Sequence, residues 1–220
     1  MDVDSDESVS AGMSGLLAEH GRVDGVVACA GWGLAGAVEE TPIGDAKAQL
    51  ETNFWGVVRV VQAALPSMRA QGGGRIVLLS SIGGVIGIPF QAFYSASKFA
   101  LEGYAESLAY EVSPFGIEVC LVQPGNIHTS FTSSRRDVEP EPGSTTYSAA
   151  VRKAVELMED DEENGAPPER VAATVSRVLT ARRVPRRRSV GKLDERVGIM
   201  AKRLMPYALF ERAAKSSLGV

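Results

Sequence analysis

Tyr94-Ser95-Ala96-Ser97-Lys98 opens a long helical pattern and carries a phenol and an ammonium group four residues apart. On an α-helix this spacing places both side chains on one face, one turn apart. A free tyrosine has a pKa of about 10, and a neighbouring lysine cation favours the phenolate. We therefore expect Lys98 to lower the pKa of Tyr94 towards neutrality, so that Tyr94 serves as a general acid or base. The alternative is a packed tyrosine ring beside a lysine that reaches solvent.

Strand-like and helix-like patterns alternate around this run at short intervals. The strand-like runs are residues 23–29, 75–79, 117–122 and 186–191, and the helical patterns are residues 6–19, 41–65, 94–112, 149–158, 168–179, 194–205 and 206–218. The alternation predicts an α/β fold, a doubly wound parallel sheet with helices on both faces. Ligands bind such sheets beyond the carboxyl ends of the strands, so Gly31, Ser81 and Gly125 are expected to share one crevice.

Composition narrows the class of protein. The chain has 220 residues, 45% of them hydrophobic, and a net charge of −4. This suits a single domain over residues 1–220, with a substrate lid at 130–165 and a C-terminal helical extension at 192–220. The acidic balance argues against a nucleic-acid partner. With no apolar stretch long enough for a transmembrane segment and an acidic start, a cytoplasmic protein is expected.

The two cysteines and the charged runs have plain interpretations. Cys29 and Cys120 fall in apolar runs, which predicts buried reduced thiols and no metal site. The acidic run at 159–163 is expected to be a solvated helix end. Eleven lysines and arginines lie between Arg182 and Lys215. They could bind an acidic partner or an anionic membrane surface, although a solvated or subunit-facing surface is favoured.

The ordered set Asn53, Ser81, Tyr94 with Lys98, and Pro124-Gly125 resembles the classical short-chain dehydrogenase/reductase family, and the C-terminal stretch is similar to its hydroxysteroid-dehydrogenase-like members. The resemblance implies a Rossmann-like fold and an NAD(P)-dependent oxidoreductase that interconverts an alcohol and a ketone or aldehyde. Tyr94 would then exchange the proton and Ser81 would hydrogen-bond the reacting oxygen. Lys98 would hold the nicotinamide ribose, and Asn53 would position a water that links Lys98 to solvent.

The resemblance also assigns a set of cofactor contacts. They are Asp2, Val3, Cys29, Ala30, Gly31, Tyr94, Lys98, Pro124, Gly125, Ile127 and Thr129. Asp2 and Val3 match the pair near the adenine ring, and Cys29 stands where the family usually has asparagine. Either NAD or NADP is compatible with these residues.

The family normally opens with a strand and a glycine-rich turn that holds the pyrophosphate. Met1-Asp2-Val3-Asp4 resembles the point where the family leaves its third strand. The expectation is therefore an N-terminally truncated fold without the first two βα units and most of the third strand, which would make residues 23–29 an edge strand. A misplaced start, a first part supplied from elsewhere, and a non-catalytic remnant acting as an interaction protein are the three explanations.

A set of apolar residues would face the substrate by the same resemblance: Ile86, Ile88, Phe90, Phe93 and Phe131. They predict a small apolar alcohol or ketone, such as a steroid or retinoid, with core packing as the alternative. Family members commonly pair through the helices that correspond to residues 45–70 and 94–112. A homodimer or homotetramer is therefore expected.

Overall fold

Six strands, all parallel to their neighbours, organise the computed structural model, which describes residues 1–138 and 146–217. They are β1 (Gly25–Ala28), β2 (Leu34–Ala35), β3 (Gly74–Leu79), β4 (Ile117–Pro124), β5 (Arg136–Asp137) and β6 (Arg187–Val190). The main sheet has the order β1-β3-β4-β6, and β2 pairs with β5 in a separate two-stranded sheet. Within the described ranges β1 pairs only with β3 and so lies at an edge of the sheet.

The helices connect and cover these strands. They are α1 (Asp6–His20), α2 (Ile43–Leu50), a π-helical segment (Glu51–Gly56), α3 (Val57–Ala70), α4 (Ala92–Val112), α5 (Ser148–Glu163), α6 (Pro168–Thr180), α7 (Leu193–Leu204) and α8 (Tyr207–Ser217), with short 3₁₀ turns at Ile82–Gly84 and Ser113–Phe115. None of them, within the described ranges, combines the length and apolar character needed to cross a membrane.

Both faces of the main sheet are covered, which confirms the predicted layers. On one face, side chains of β1, β3 and β4 pack with α1, α3 and α4 around fully buried Val61, Ile76 and Leu101. On the other face, Val77 and Val122 pack against α6. Strands buried on both sides need apolar residues at successive positions, which explains the continuous runs in β3 and β4.

Three local features differ from the expectation. The single helix predicted over 41–65 is divided by the π-helical segment into α2 and α3. The region 130–165 contains a strand, β5, and a helix longer than expected, while its residues 139–145 lie outside the described residues. Cys29 is exposed rather than buried, because it follows the end of β1, whereas Cys120 is buried inside β4 as predicted.

Candidate active site

The carboxyl ends of β1, β3 and β4 meet at a cavity of about 1090 Å³. Cys29 follows β1, Ser80 and Ser81 follow β3, Gly125 follows β4, and all four line the cavity together with Gly31. Helices α4, α5, α6, α7 and α8 and the loops after β3 and β4 supply further wall residues. The expected crevice at the carboxyl ends of the strands is therefore confirmed.

Tyr94 and Ser81 are brought together at the wall of this cavity. Tyr94 lies in the first turn of α4, and Ser81 caps the 3₁₀ turn after β3 by accepting a hydrogen bond from the Gly83 amide at 3.0 Å. Both residues are buried, and Ser81 lies close enough to the Tyr94 hydroxyl to influence its pKa. The Tyr94 ring also contacts the Phe131 ring, with centroids 5.7 Å apart. The hydroxyls of Tyr94 and Ser81 thus share one partly apolar environment.

Lys98 lies one helical turn after Tyr94 and is also buried, with only 6% of its surface exposed. Its Nζ donates a hydrogen bond to the Leu79 carbonyl at 2.9 Å and lies 5.8 Å from the centre of the Tyr94 ring. Burial lowers the pKa of Lys98 to about 8, and the Cys29 sulfur acts weakly in the opposite direction. The ammonium group is therefore held in the site at a considerable desolvation penalty.

The pKa of Tyr94 moves in the direction opposite to the expectation. It is raised to about 12, mainly because burial disfavours the phenolate, and the hydrogen bond with Ser81 offsets this only in part. The predicted lowering by Lys98 is therefore wrong for this arrangement. The reason is that the same burial that brings the two groups together also removes the solvent that would stabilise a phenolate.

Asn53 lies in the π-helical segment with no exposed surface. Its Oδ1 accepts a hydrogen bond from the Trp32 amide at 3.0 Å, and its Nδ2 donates to the Trp32 carbonyl at 3.0 Å and to Ser97 Oγ at 3.2 Å. The side chain therefore fastens the loop after β1 to helix α4. These contacts use the oxygen and both amide hydrogens of Asn53. The water-positioning role inferred for Asn53 stays a prediction.

Gly31 lies between the Asn53 side chain and the Lys98 side chain. A Cβ at this position would lie 3.0 Å from Asn53 Oδ1 and 3.6 Å from Lys98 Nζ. Contacts this short leave little room for a side chain, so glycine lets the loop backbone run directly beside the lysine.

The residues assigned to cofactor contact divide into two groups. Those at the cavity wall are Cys29, Gly31, Tyr94, Lys98, Pro124, Gly125, Ile127 and Thr129. Asp2, Val3 and Ala30 do not line it. The Asp2 amide donates to Ser8 Oγ at 2.8 Å, and the Val3 side chain packs so closely on Gly56 that a Cβ there would come within 2.7 Å. Val3 therefore packs the start of the chain against the π-helical segment, whereas the contacts of Asp2 are with the start of the chain and of α1.

The residues expected to face the substrate also divide. Ile86, Ile88 and Phe131 line the cavity, whereas Phe90 and Phe93 do not. Phe90 has a left-handed backbone, with φ of 58°, and its carbonyl accepts a hydrogen bond from the Gly36 amide at 2.8 Å. Phe90 therefore stabilises the turn before α4 and is not part of the cavity wall.

Sequence reasoning missed an ion pair beside the tyrosine. Glu162 belongs to the acidic run at 159–163, but it is buried, lines the cavity and accepts hydrogen bonds from Thr132 Oγ1 and from the guanidinium of buried Arg135. It also contributes to the raised pKa of Tyr94. The expectation of a wholly solvated run is wrong here, because α5 turns this one carboxylate towards Arg135.

A second missed residue, Glu195, fastens α7 to the loop after β4. Its carboxylate accepts hydrogen bonds from the Asn126 amide at 2.8 Å and the Lys192 amide at 2.7 Å. A Cβ at Gly125 would overlap this carboxylate, so the glycine permits the contact. The three-residue spacing from Lys192 resembles a helix cap, a signal that would have located the start of α7 but not the contact with Asn126.

Gly84 offers a test of how tightly the site is packed. We expect Gly84→Ala to lower the free energy of unfolding by about 1–3 kcal/mol, because its Cβ would lie 2.6 Å from buried Ser80 Oγ and 3.0 Å from the Lys98 carbonyl. Gly87→Ala is the matched control, since a Cβ there meets no atom within 4 Å. Urea unfolding of both variants measures the difference, and equal stabilities would mean that the segment before α4 can move away from that helix.

The site and fold together define a class of protein. A model of the short chain dehydrogenase family matches residues 1–156, and the chain belongs to this family of oxidoreductases. It is 39% identical over 215 residues to 3-ketodihydrosphingosine reductase of Bacteroides thetaiotaomicron, which covers 98% of this chain and 80% of that protein. It is also 43% identical over 131 residues to 17-beta-hydroxysteroid dehydrogenase type 1 of Homo sapiens. That match covers 60% of this chain and 39% of that protein.

A solved structure agrees with this assignment. The crystal structure of a short-chain dehydrogenase from Streptomyces avermitilis superimposes with a TM-score of 0.82 at 31% sequence identity. The match covers 99% of this chain and 80% of that one. The parallel sheet with helices on both faces is therefore the Rossmann-like fold of the family.

Proposed function

We propose that the protein is an NAD(P)-dependent oxidoreductase that reduces the carbonyl group of an apolar substrate, with Tyr94 as the proton donor. The observation that carries this proposal is the buried group of Tyr94, Ser81 and Lys98 at the wall of one large cavity. A cavity beyond the carboxyl ends of parallel strands is where sheets of this kind bind their ligands.

The residues present fit the nicotinamide half of a dinucleotide. A nicotinamide cofactor supplies the hydride to the carbonyl carbon when it is bound. Lys98 would hold it through its ammonium group, the missing Cβ at Gly31 leaves the backbone accessible beside that group, and residues 124–129 would form the opposite wall. NAD and NADP fit equally well at this half, because they differ only at the adenine ribose.

The proton chemistry favours reduction. With a pKa of about 12, Tyr94 is protonated at neutral pH and its hydroxyl can donate a proton. As hydride adds to the carbonyl carbon, the C=O π electrons move to the oxygen, and that oxygen takes the proton from the Tyr94 hydroxyl. Ser81 would donate a hydrogen bond to the same oxygen and stabilise its developing charge. An alkoxide is a stronger base than a phenolate, so the transfer is downhill even with the raised pKa.

The substrate proposed is a lipid-like ketone. The cavity is lined by apolar side chains from several segments, among them Ile86, Ile88, Phe131, and Val171 and Val175 of α6. Burying an apolar substrate between such walls is favourable by about 25 cal/mol per Å². The similar reductase and dehydrogenase are named for a sphingoid base and for a steroid, which supports the same substrate class.

The expected quaternary structure and location are part of the same proposal. A homodimer or homotetramer would form through α2, the π-helical segment, α3 and α4, and the exposed side chains of Trp55 in the π-helical segment and Tyr110 on α4 support an interface there. A cytoplasmic protein remains the prediction from the sequence.

The test combines cofactor binding with a ketone panel. Fluorescence titration with NADPH and with NADH is expected to saturate for at least one of them. Turnover is then followed by loss of the reduced cofactor with 3-ketodihydrosphingosine, a steroid ketone, retinal and a small sugar ketone. We expect kcat/KM for the preferred apolar substrate to exceed that for the sugar by about 100-fold or more. A folded protein that binds neither cofactor, or that reduces only the sugar, would contradict the proposal.

A further inference from the structure

Helix α7 presents an apolar stripe to the outside of the molecule. Leu193, Val197, Met200 and Leu204 are 74%, 53%, 61% and 79% exposed. Their spacing of four, three and four residues places them on one face of the helix. Exposed Tyr207 continues the apolar surface at the start of α8. Single exposed apolar side chains are ordinary, but a contiguous row of this kind marks an interaction surface.

The opposite side of α7 faces the cavity of the candidate active site. Gly198 and Ala201 line that cavity, Met205 lines it just beyond the helix, and Ile199 is buried. Helix α7 therefore separates the substrate cavity, on its inner side, from the apolar stripe, on its outer side.

Several contacts hold α7 in this orientation. Glu195 binds the loop after β4, Lys202 Nζ donates to the Val85 carbonyl, and the same Nζ lies 5.0 Å from the centre of the Phe99 ring. The inward face of the helix is thus docked by charged and polar anchors. The outward stripe is exposed because of this docking.

The charge around the stripe indicates what covers it. Between Lys192 and Lys215 the sequence has six lysines and arginines and three acidic residues, so this segment is positive in a chain with a net charge of −4. Glu195 is occupied by backbone amides and Glu211 by Lys215 at 2.8 Å. The exposed carboxylate of Asp194 is outnumbered by the exposed guanidinium groups of Arg196 and Arg212. An apolar stripe beside basic side chains is the pattern of a helix that lies in the plane of an anionic membrane surface. A second copy facing this one would bring equal positive charges together.

We propose that α7 and the start of α8 dock on an anionic lipid surface, with the stripe in the headgroup region and the cavity behind it open to molecules from that layer. Docking itself is independent of the proposed reductase activity. The supply of an apolar ketone from the bilayer to the cavity rests on that proposed function. The basic side chains would contact lipid phosphates while the stripe enters the acyl boundary.

The experiment measures sedimentation of the full chain with vesicles, without cofactor or substrate. Vesicles of phosphatidylcholine with phosphatidylglycerol are expected to bind the protein, pure phosphatidylcholine to bind it far less, and high salt to weaken binding. The variant Met200→Glu with Leu204→Glu is expected to lower the partition coefficient about tenfold or more. The matched control, Val38→Glu with Ile43→Glu, changes two equally exposed aliphatic side chains elsewhere and adds the same charge.

Two outcomes would overturn the docking proposal. One is a folded protein that does not bind anionic vesicles, or whose stripe and control variants bind alike. The other is a stripe variant that becomes monomeric by light scattering while vesicle binding is unchanged, which would make the stripe an interface between copies. Activity separates the two proposals: a stripe variant that reduces a detergent-dispersed ketone but not a vesicle-embedded one supports both. Vesicle binding without any ketone reduction would refute the proposed function alone.

Discussion

Replacing Tyr94 by phenylalanine is expected to lower kcat/KM for ketone reduction by about 10²–10⁴-fold, the range that a positioned acid contributes. The substitution removes the hydroxyl beside Ser81 and keeps the ring that contacts Phe131. The carbonyl oxygen then has no tyrosine hydroxyl beside it to donate a proton. Cofactor titration should be unchanged, because Lys98 and Gly31 keep their positions.

Tyr104→Phe is the control for this prediction. Tyr104 is a half-buried tyrosine on the same helix, its pKa is also raised to about 12 by burial, and its ring packs edge-on against Phe54 outside the cavity. It lies on α4 with a raised pKa like Tyr94, but without the neighbouring Ser81 and Lys98. An equal loss of turnover in both variants would indicate damage to α4, and full activity of Tyr94→Phe would remove Tyr94 from the mechanism.

The layers of the fold were predictable because they depend on local patterns. Continuous apolar runs require strands buried on both faces, and helices between parallel strands follow from the connections such strands need. The π-helical segment was not predictable in this way. It places Asn53 against Trp32 and Ser97, residues 21 and 44 positions away, and such a contact has no local signature. The pairing of β2 with β5 could not be predicted for the same reason, because the two strands are far apart in the sequence.

The position of the site was predictable, but its electrostatics were not. The rule for parallel strands brought Ser81 and Gly125 to one cavity, and the helical spacing placed Lys98 beside Tyr94. The direction of the Tyr94 pKa depends on how much water reaches the phenol, which is a property of the finished cavity. The Glu162–Arg135 pair depends on the return of α5 over the sheet ends and therefore also appears only in the folded chain.

Lys98 links the activity of the site to the stability of the fold. Its ordinary pKa of 10.5 falls to about 8 on folding, because burial penalises the ammonium form. Between these two values the unfolded chain binds more protons than the folded chain, so this group makes stability rise with pH from about 8 to 10.5. Below pH 8 both states carry the charge, and the folded protein bears the full penalty of about 3 kcal/mol.

Lys98→Met is therefore expected to stabilise the fold at pH 7 while it abolishes useful turnover. The methionine keeps an unbranched apolar stem and removes the buried charge. After the lost hydrogen bond to Leu79 is set against this gain, the free energy of unfolding should rise by about 2 kcal/mol at pH 7. The advantage over the wild type should shrink as the pH rises from about 8 and should vanish only above 10.5, where wild-type Lys98 becomes neutral in both states. Urea unfolding across this pH range measures the difference.

Turnover in the same variant should fall by about 100-fold or more, because the cofactor loses the group that would orient it. Lys47→Met, which removes an exposed lysine on α2, is the control and should change neither stability nor its pH dependence appreciably. Lys98→Met could instead be less stable than the wild type by an amount that does not vary with pH. In that case the hydrogen bond from Lys98 to the Leu79 carbonyl stabilises the fold, and the buried charge does not destabilise it. A gain in stability with loss of turnover would show that this fold keeps a destabilising cation at the cavity wall because the reaction requires it.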